Sequence, residues 1–204
     1  MNGAQVAARA PLRTVRVADL AGLYAFPRQE IRALERRGVL HRLAHGIYCA
    51  VPPEHDPQIW RPETEAATAA IATALYGDRV ALLMGLSAAR VHRALPRAVA
   101  LGHVAVPTPR RPLAFVDRPG EVRFSARRVH ALDATLVQTE LGPTLATTPE
   151  QTVLDLARMD PRGADLDSAE AIETLLPRCR AATLEAIARR QRMGATLQRL
   201  RAGR

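Results

Sequence analysis

The stretch VADLAGLYAFPRQEIRALERRGVLHRLAHGIYCAV, Val17 to Val51, decides the reading of the whole chain. With the residues just before it, Val15 to Ala50 reads as helix, helix, β-hairpin. Val17, Leu20, Leu23 and Tyr24 recur at helical spacing, and Asp19 falls in the first turn. Ala25-Phe26-Pro27 breaks the pattern, and Pro27 suits the first position of a second helix because its missing N–H costs nothing there. The spacing predicts that helix over Arg28 to Arg37, with Ile31 and Leu34 turned inward. At about 100° per residue this leaves Arg28, Gln29, Arg32, Glu35 and Arg36 on the outer side, and Gly38 is placed to stop it. Val39 to Leu43 and Ile47 to Val51 are β-prone runs around Ala44-His45-Gly46, where Gly46 can supply the positive φ of a tight turn.

Two short helices followed by a hairpin is the plan of a winged helix-turn-helix, whose second helix enters a major groove while the wing touches the backbone. Arginine pairs bidentately with guanine and glutamine with adenine. Arg28, Gln29 and Arg32, near the start of the helix, are therefore the expected base-reading residues. Arg36, Arg37, Arg42 and His45 are the expected phosphate contacts. The competing reading of the same pattern is a protein-interaction module whose arginines face solvent.

Charge favours a polyanionic partner. The chain of 204 residues carries a net charge of +9, and every one of its 29 basic residues is arginine. The charge is uneven. Residues 1–53 hold 8 arginines against 3 acids, residues 54–176 hold 13 against 16, and residues 177–204 hold 8 against 1. Two basic ends thus flank a mildly acidic middle. The missing lysine excludes a Walker A loop and a Schiff-base enzyme. No apolar run approaches a membrane span, the first ten residues lack the apolar stretch of a signal peptide, and Cys49 and Cys179 lie outside any CxxC; the expectation is a cytoplasmic protein with no membrane partner.

Pro52-Pro53 and Pro57 to Pro62 make a helix-incompatible connection. They divide the chain into a DNA-binding unit over residues 1–60, an α+β unit over 61–176, and a basic helical tail over 177–204. Glu63 to Tyr76 reads as an Ala-rich helix and Ser87 to Leu95 as another, with Ser87 as its N-cap. Between Val99 and Thr147, five short β-prone runs broken by Pro and Gly fit antiparallel or mixed strands. Thr148-Pro149-Glu150-Gln151 reads as a capping box opening a helix to Met159, with Val153, Leu154 and Ala157 buried. Ala169 to Leu176 and Ala181 to Arg201 follow as helices. The second turns Leu184, Ile187, Leu197 and Leu200 to one face and Arg189, Arg190 and Arg192 to the other. That tail suits phosphate contacts or docking on an acidic protein surface, and lacks the aromatic anchors of a membrane-surface helix.

Catalytic constellations are weak. Ser87, His92 and Asp155 lack a nucleophile elbow, and Ser87 and His92 sit roughly 140° apart on one helix. His41, His45, Cys49 and His55 have metal-capable side chains, which a hairpin throws in different directions. Glu63 and Glu65 point to different faces. The expectation is no catalytic residue, no metal and no cofactor.

The Val17–Val51 stretch also resembles the amino-terminal domain of AbiEi-type antitoxins of type IV toxin–antitoxin systems. The resemblance rests on Leu20, the Ile31/Leu34 helix, Arg37-Gly38-Val39-Leu40 and the wing ending Gly46-Ile47-Tyr48. Two later stretches, GLSAARVHRAL (Gly85 to Leu95) and LATTPEQTVLDLA (Leu145 to Ala157), are similar to the same family in the same order. Ala25-Phe26-Pro27 departs from the polar turn usual in such proteins. The resemblance implies an α+β antitoxin: a winged helix that binds double-stranded operator DNA and represses its own operon, and a mixed α/β antitoxin domain with C-terminal helices that opposes a cognate nucleotidyltransferase-like toxin. The alternative is a winged-helix regulator whose second domain senses a small ligand over Val99 to Thr147 and has no toxin partner. Oligomeric state is left open.

Overall fold

The computed structural model of the chain describes residues 2–202. Helix α1 (Gly3–Arg9) opens on Asn2, whose side chain accepts from the Gln5 amide while the Gln5 side chain accepts from the Asn2 amide, satisfying two otherwise orphaned donors. Strand β1 (Thr14–Arg16), a 3-10 turn over Val17–Leu20, helix α2 (Pro27–Arg36), and strands β2 (Leu40–Ala44) and β3 (Ile47–Ala50) follow. β3 lies between β1 and β2 and runs antiparallel to both.

The expected first helix from Val15 is therefore a strand and a tight turn. Thr14 and Val15 pair with Cys49 and Tyr48, a long-range gain that local spacing does not register. Asp19 then closes the turn, accepting from the Arg16 backbone N–H at 2.7 Å and from Arg16 Nη2 at 2.9 Å. Helix α1 was not expected at all.

The second helix and the hairpin follow the predicted pattern. Pro27 occupies the first position of α2, and Ile31 and Leu34 are buried against a cluster that includes Leu20, Leu40 and Tyr48. The helix stops ahead of Gly38. Gly46, at φ +74°, makes the hairpin turn, a backbone region that costs most side chains about 1 kcal/mol or more.

The rest of the chain is an α+β layer: α3 (Thr64–Tyr76), β4 (Leu82–Leu83), α4 (Gly85–Val91), β5 (Leu101–Val106), β6 (Arg110–Ala114), β7 (Glu121–Ala126), β8 (Ala134–Thr139), β9 (Gly142–Thr147), α5 (Pro149–Met159), α6 (Leu166–Leu175), α7 (Ala181–Arg190) and α8 (Gly194–Ala202). Six strands form one mixed sheet in the order β6-β7-β5-β4-β9-β8, parallel only at β5–β7 and β4–β9. Four of the five β-prone runs between Val99 and Thr147 become strands over most of their length; the fifth, Leu113 to Val116, only overlaps the end of β6 at Leu113-Ala114, and the strand begins earlier, at Arg110. β4, only two residues long, left no pattern to read.

Small side chains set the packing of α3. Thr64 to Ala72 are all buried, and the helix passes so close to β5 that a Cβ on Gly102 would lie 2.0 Å from Thr68 Oγ1. Its alanines share one hydrophobic cluster with Leu43, Ile47 and Cys49 of the hairpin and with Val104, Val122 and Phe124 of the sheet. The Pro52–Pro62 connection is packed rather than free: Pro57 covers Gly38, and Trp60 lies on the shared cluster with its Nε1 donating to Glu140 at 3.2 Å.

Three further expectations are corrected. Ser87 is not an N-cap: it sits buried inside α4, and its Oγ accepts from the His103 backbone N–H at 2.9 Å. Thr148 does cap α5, accepting from the Gln151 N–H at 3.3 Å. The Gln151 side chain does not return to it, however, but accepts from Asp133 N–H at 3.3 Å, so only half of the capping box forms. The single helix expected over Ala181 to Arg201 is two, because Arg192 enters the left-handed region at φ +56° and Met193 turns into the core. That reversal lets Leu184, Ile187 and Leu197 close around Leu154.

Candidate nucleic-acid interface

Helix α2 and the hairpin are joined on their inner sides by Ile31, Leu34, Leu40 and Tyr48, which leaves a groove between their outer sides. The groove has a volume of about 520 Å³, and Arg28, Arg32, Arg42 and His45 all line it. Gln29, Arg36 and Arg37 are exposed but lie outside it. Arg36 shares the outer face of α2 with Arg28 and Arg32, whereas Arg37 forms the helix C-cap about half a turn round.

The hairpin side is held in place. Arg42 Nη2 donates to His45 Nδ1 at 3.2 Å, which makes Nδ1 the acceptor. The Arg42 guanidinium lies 5.9 Å from the centre of the Tyr48 ring. Burial raises the Tyr48 phenol above its ordinary value, opposed by Arg42 and Arg32 and assisted by Glu35. Arg42 Nε is buried without a hydrogen-bond partner among the described residues. An unsatisfied buried donor costs about 1–3 kcal/mol.

Glu35 and Tyr48 also line the groove, without a role that the sequence marks. Angular spacing places Glu35 on the outer face of α2 but gives it no function. Tyr48 sits in an apolar β-prone run, and only its pairing with Arg42 across the hairpin brings its ring beneath the guanidinium.

The other constellations come apart. Ser87 bonds His103, His92 bonds the Thr147 carbonyl at 2.7 Å, and Asp155 lies 3.0 Å from Arg127. His41 Nε2 bonds Asp117 Oδ2 at 2.8 Å, His55 stacks on Trp60, and Cys49 is buried. Among the described residues no trio of His, Cys, Asp or Glu comes together in a way that would hold a metal ion. None of the described helices is long and apolar enough to cross a membrane.

A small antiparallel sheet carrying an arginine-edged groove, fused through a shared core to a mixed six-stranded α+β layer, is the class of molecule these features define. Residues 80–202 match the family model of the AbiEi antitoxin C-terminal domain. That match covers more than half of the chain, and the protein belongs to this antitoxin family. Among solved structures, the RV2827C protein from Mycobacterium tuberculosis is similar over 86% of this chain at 20% identity, with a TM-score of 0.53. At that identity the likeness is one of fold. The match spans 66% of the RV2827C chain. No curated protein matches the sequence.

Proposed function

We propose that this protein is the antitoxin of a type IV-like toxin–antitoxin system, with residues 1–60 binding operator DNA and the following α+β unit opposing a nucleotidyltransferase-like toxin. The order α1, β1, turn, α2, β2, β3 supports a winged helix-turn-helix in which the tight turn at Val17–Leu20 replaces the first helix of the pair. On this reading α2 enters the major groove. Arg28, Gln29 and Arg32 meet base edges, and Arg36, Arg37, Arg42 and His45 meet phosphates. Glu35, lining the same groove, suits the cytosine amino group, which donates where a phosphate would repel. The protein would act by occupancy and contact, without a catalytic residue, a metal or a cofactor.

The observation that carries the proposal is the convergence of Arg28, Arg32, Arg42 and His45 on one groove between α2 and the hairpin. Its test is a gel-shift series on the protein's own promoter. Arg32→Ala should flatten the preference for promoter over scrambled duplex, since a bidentate base contact is worth about 1–3 kcal/mol of discrimination. Arg42→Ala should weaken both duplexes alike and lower the salt slope by about 1. If neither variant differs from wild type, the assignment of α2 and the hairpin fails.

A further inference from the structure

By count, the segment from residue 54 to 176 is acidic, yet the fold draws three of its arginines into one cleft with two from the basic tail. Arg127 and Arg128 follow β7, Arg158 lies in the last turn of α5, Arg190 ends α7, and Arg192 forms the turn before α8. With Gln191 they line an open cleft of about 600 Å³. Two of the five are held by carboxylates. Arg127 Nη1 lies 3.0 Å from Asp155, and Arg190 pairs with Asp133. Asp155 is fully buried, which pushes its carboxyl up, and Arg127 is its principal counter-charge. Arg128, Arg158 and Arg192 are exposed, and no acidic side chain among the described residues pairs with them.

The wall of the cleft is fixed. Gln191 Nε2 donates to the Ala131 carbonyl at 3.1 Å, and Gln151 Nε2 donates to Gln191 Oε1 at 3.1 Å. The α7–α8 turn is closed by Met193 N–H donating to the Ala188 carbonyl at 2.7 Å, and Met193 is buried beneath it. Arg192 is thus presented from a rigid turn in a left-handed backbone conformation. Unpaired guanidiniums facing one concavity repel each other until an anion enters, and their planar forks match phosphate oxygens bidentately.

We propose that this cleft binds the phosphate groups of a nucleotide or a polynucleotide, at a site separate from the α2 groove. A multiply charged group offering several oxygens suits three unpaired guanidiniums better than the single charge of a protein carboxylate. The cleft volume lies in the range of small-molecule sites. The proposal does not depend on the α2 groove taking DNA.

The test uses the full chain and three probes: sodium tripolyphosphate and ATP by calorimetry, and a short random duplex by fluorescence anisotropy. Arg158→Gln with Arg192→Gln should weaken tripolyphosphate roughly tenfold or more. Arg158→Lys with Arg192→Lys should lose less, and Arg110→Gln with Arg111→Gln, exposed on β6 and outside both the cleft and the α2 groove, should leave tripolyphosphate binding unchanged. If a nucleotide is the natural ligand, ATP displaces tripolyphosphate and the cleft variant leaves duplex binding intact. If a polynucleotide is, the same variant weakens the random duplex and lowers its salt slope by roughly 2. The proposal is overturned if tripolyphosphate binds wild type and cleft variant equally, or if it does not bind and the variant leaves the duplex untouched. It is overturned equally if only an acidic polypeptide such as polyglutamate responds to the substitutions.

Discussion

Replacing Asp117 by Asn tests how the groove-bearing unit is fastened to the α+β layer. Asp117 lies in the loop between β6 and β7. Its Oδ2 accepts from His41 Nε2 of β2 at 2.8 Å and from Arg118 Nη2 at 2.6 Å. Next to it, Val116 N–H donates to the Leu43 carbonyl at 3.1 Å, so loop and hairpin are bonded at two adjacent points. Burial on its own would push the Asp117 carboxyl up. The bonds from His41 and Arg118 outweigh it and hold the group well below the usual carboxylate range. A hydrogen bond to a charged group is worth about 1.5–3 kcal/mol. Asp117→Asn keeps the shape and removes the charge, so the expected loss near pH 7 is about 2 kcal/mol, or roughly 4–8 °C in Tm for a chain of this length.

The sign of the pH dependence is fixed by the direction of that shift. A carboxyl depressed in the folded state stabilises fully above its unfolded pKa of about 3.9, and the contribution is lost as pH falls through the lower folded value. The Tm gap between wild type and Asp117→Asn should therefore still be present at about pH 5 and narrow as the pH falls below about 4. Differential scanning calorimetry across that range decides it. Equal Tm values at pH 7, or a gap that stays constant into acid, would refute the charge-based account of this joint.

Two further outcomes are expected. Cys49 is fully buried, and burial pushes its thiol up to about 12, while Cys179 is partly exposed. An Ellman titration at neutral pH should consume one thiol per folded chain and the second only in denaturant; two equally fast thiols would contradict the packing of β3. Co-expression with an adjacent nucleotidyltransferase-like gene should restore growth with the full-length protein, and growth arrest despite soluble full-length protein would remove the toxin-opposing role. Residues 61–204 alone should rescue less well, because their alanine-lined α3 loses the cover of Leu43, Ile47 and Cys49.

Much of the fold was written locally and some of it was not. Pro27 and Thr148-Pro149 announced their helices through backbone chemistry that operates whatever surrounds it, and the strands over Val99 to Thr147 showed in their Gly and Pro punctuation. β1 is invisible in the same terms: Thr14 and Val15 are strand residues only because Cys49 and Tyr48 lie opposite, and Val17, Leu20 and Leu23 coincide with a helical period by spacing alone. The break between α7 and α8 is equally hidden. On one continuous helix Leu197 would fall about 140° round from Leu184, but Arg192, where the chain reverses, is a residue type with no preference for the left-handed region, so nothing local marks the turn. The outer face of α2 was readable from angular arithmetic, but the convergence of Arg28 and Arg32 on Arg42 and His45 needed the hairpin to be placed. The cleft of five arginines draws on three distant segments, two of them in the part that is acidic by count, and no window of sequence displays it.

The most direct measurement is a hydroxyl-radical footprint of the purified full chain on a duplex from its own promoter, at low and at near-physiological salt. The expected result is protection that persists on the promoter at the higher salt, is absent from a scrambled duplex there, and is lost with Arg28→Ala combined with Arg32→Ala. Promoter DNA left unprotected even in dilute salt, or protected equally by that double variant, would contradict the placement of α2 in a DNA groove.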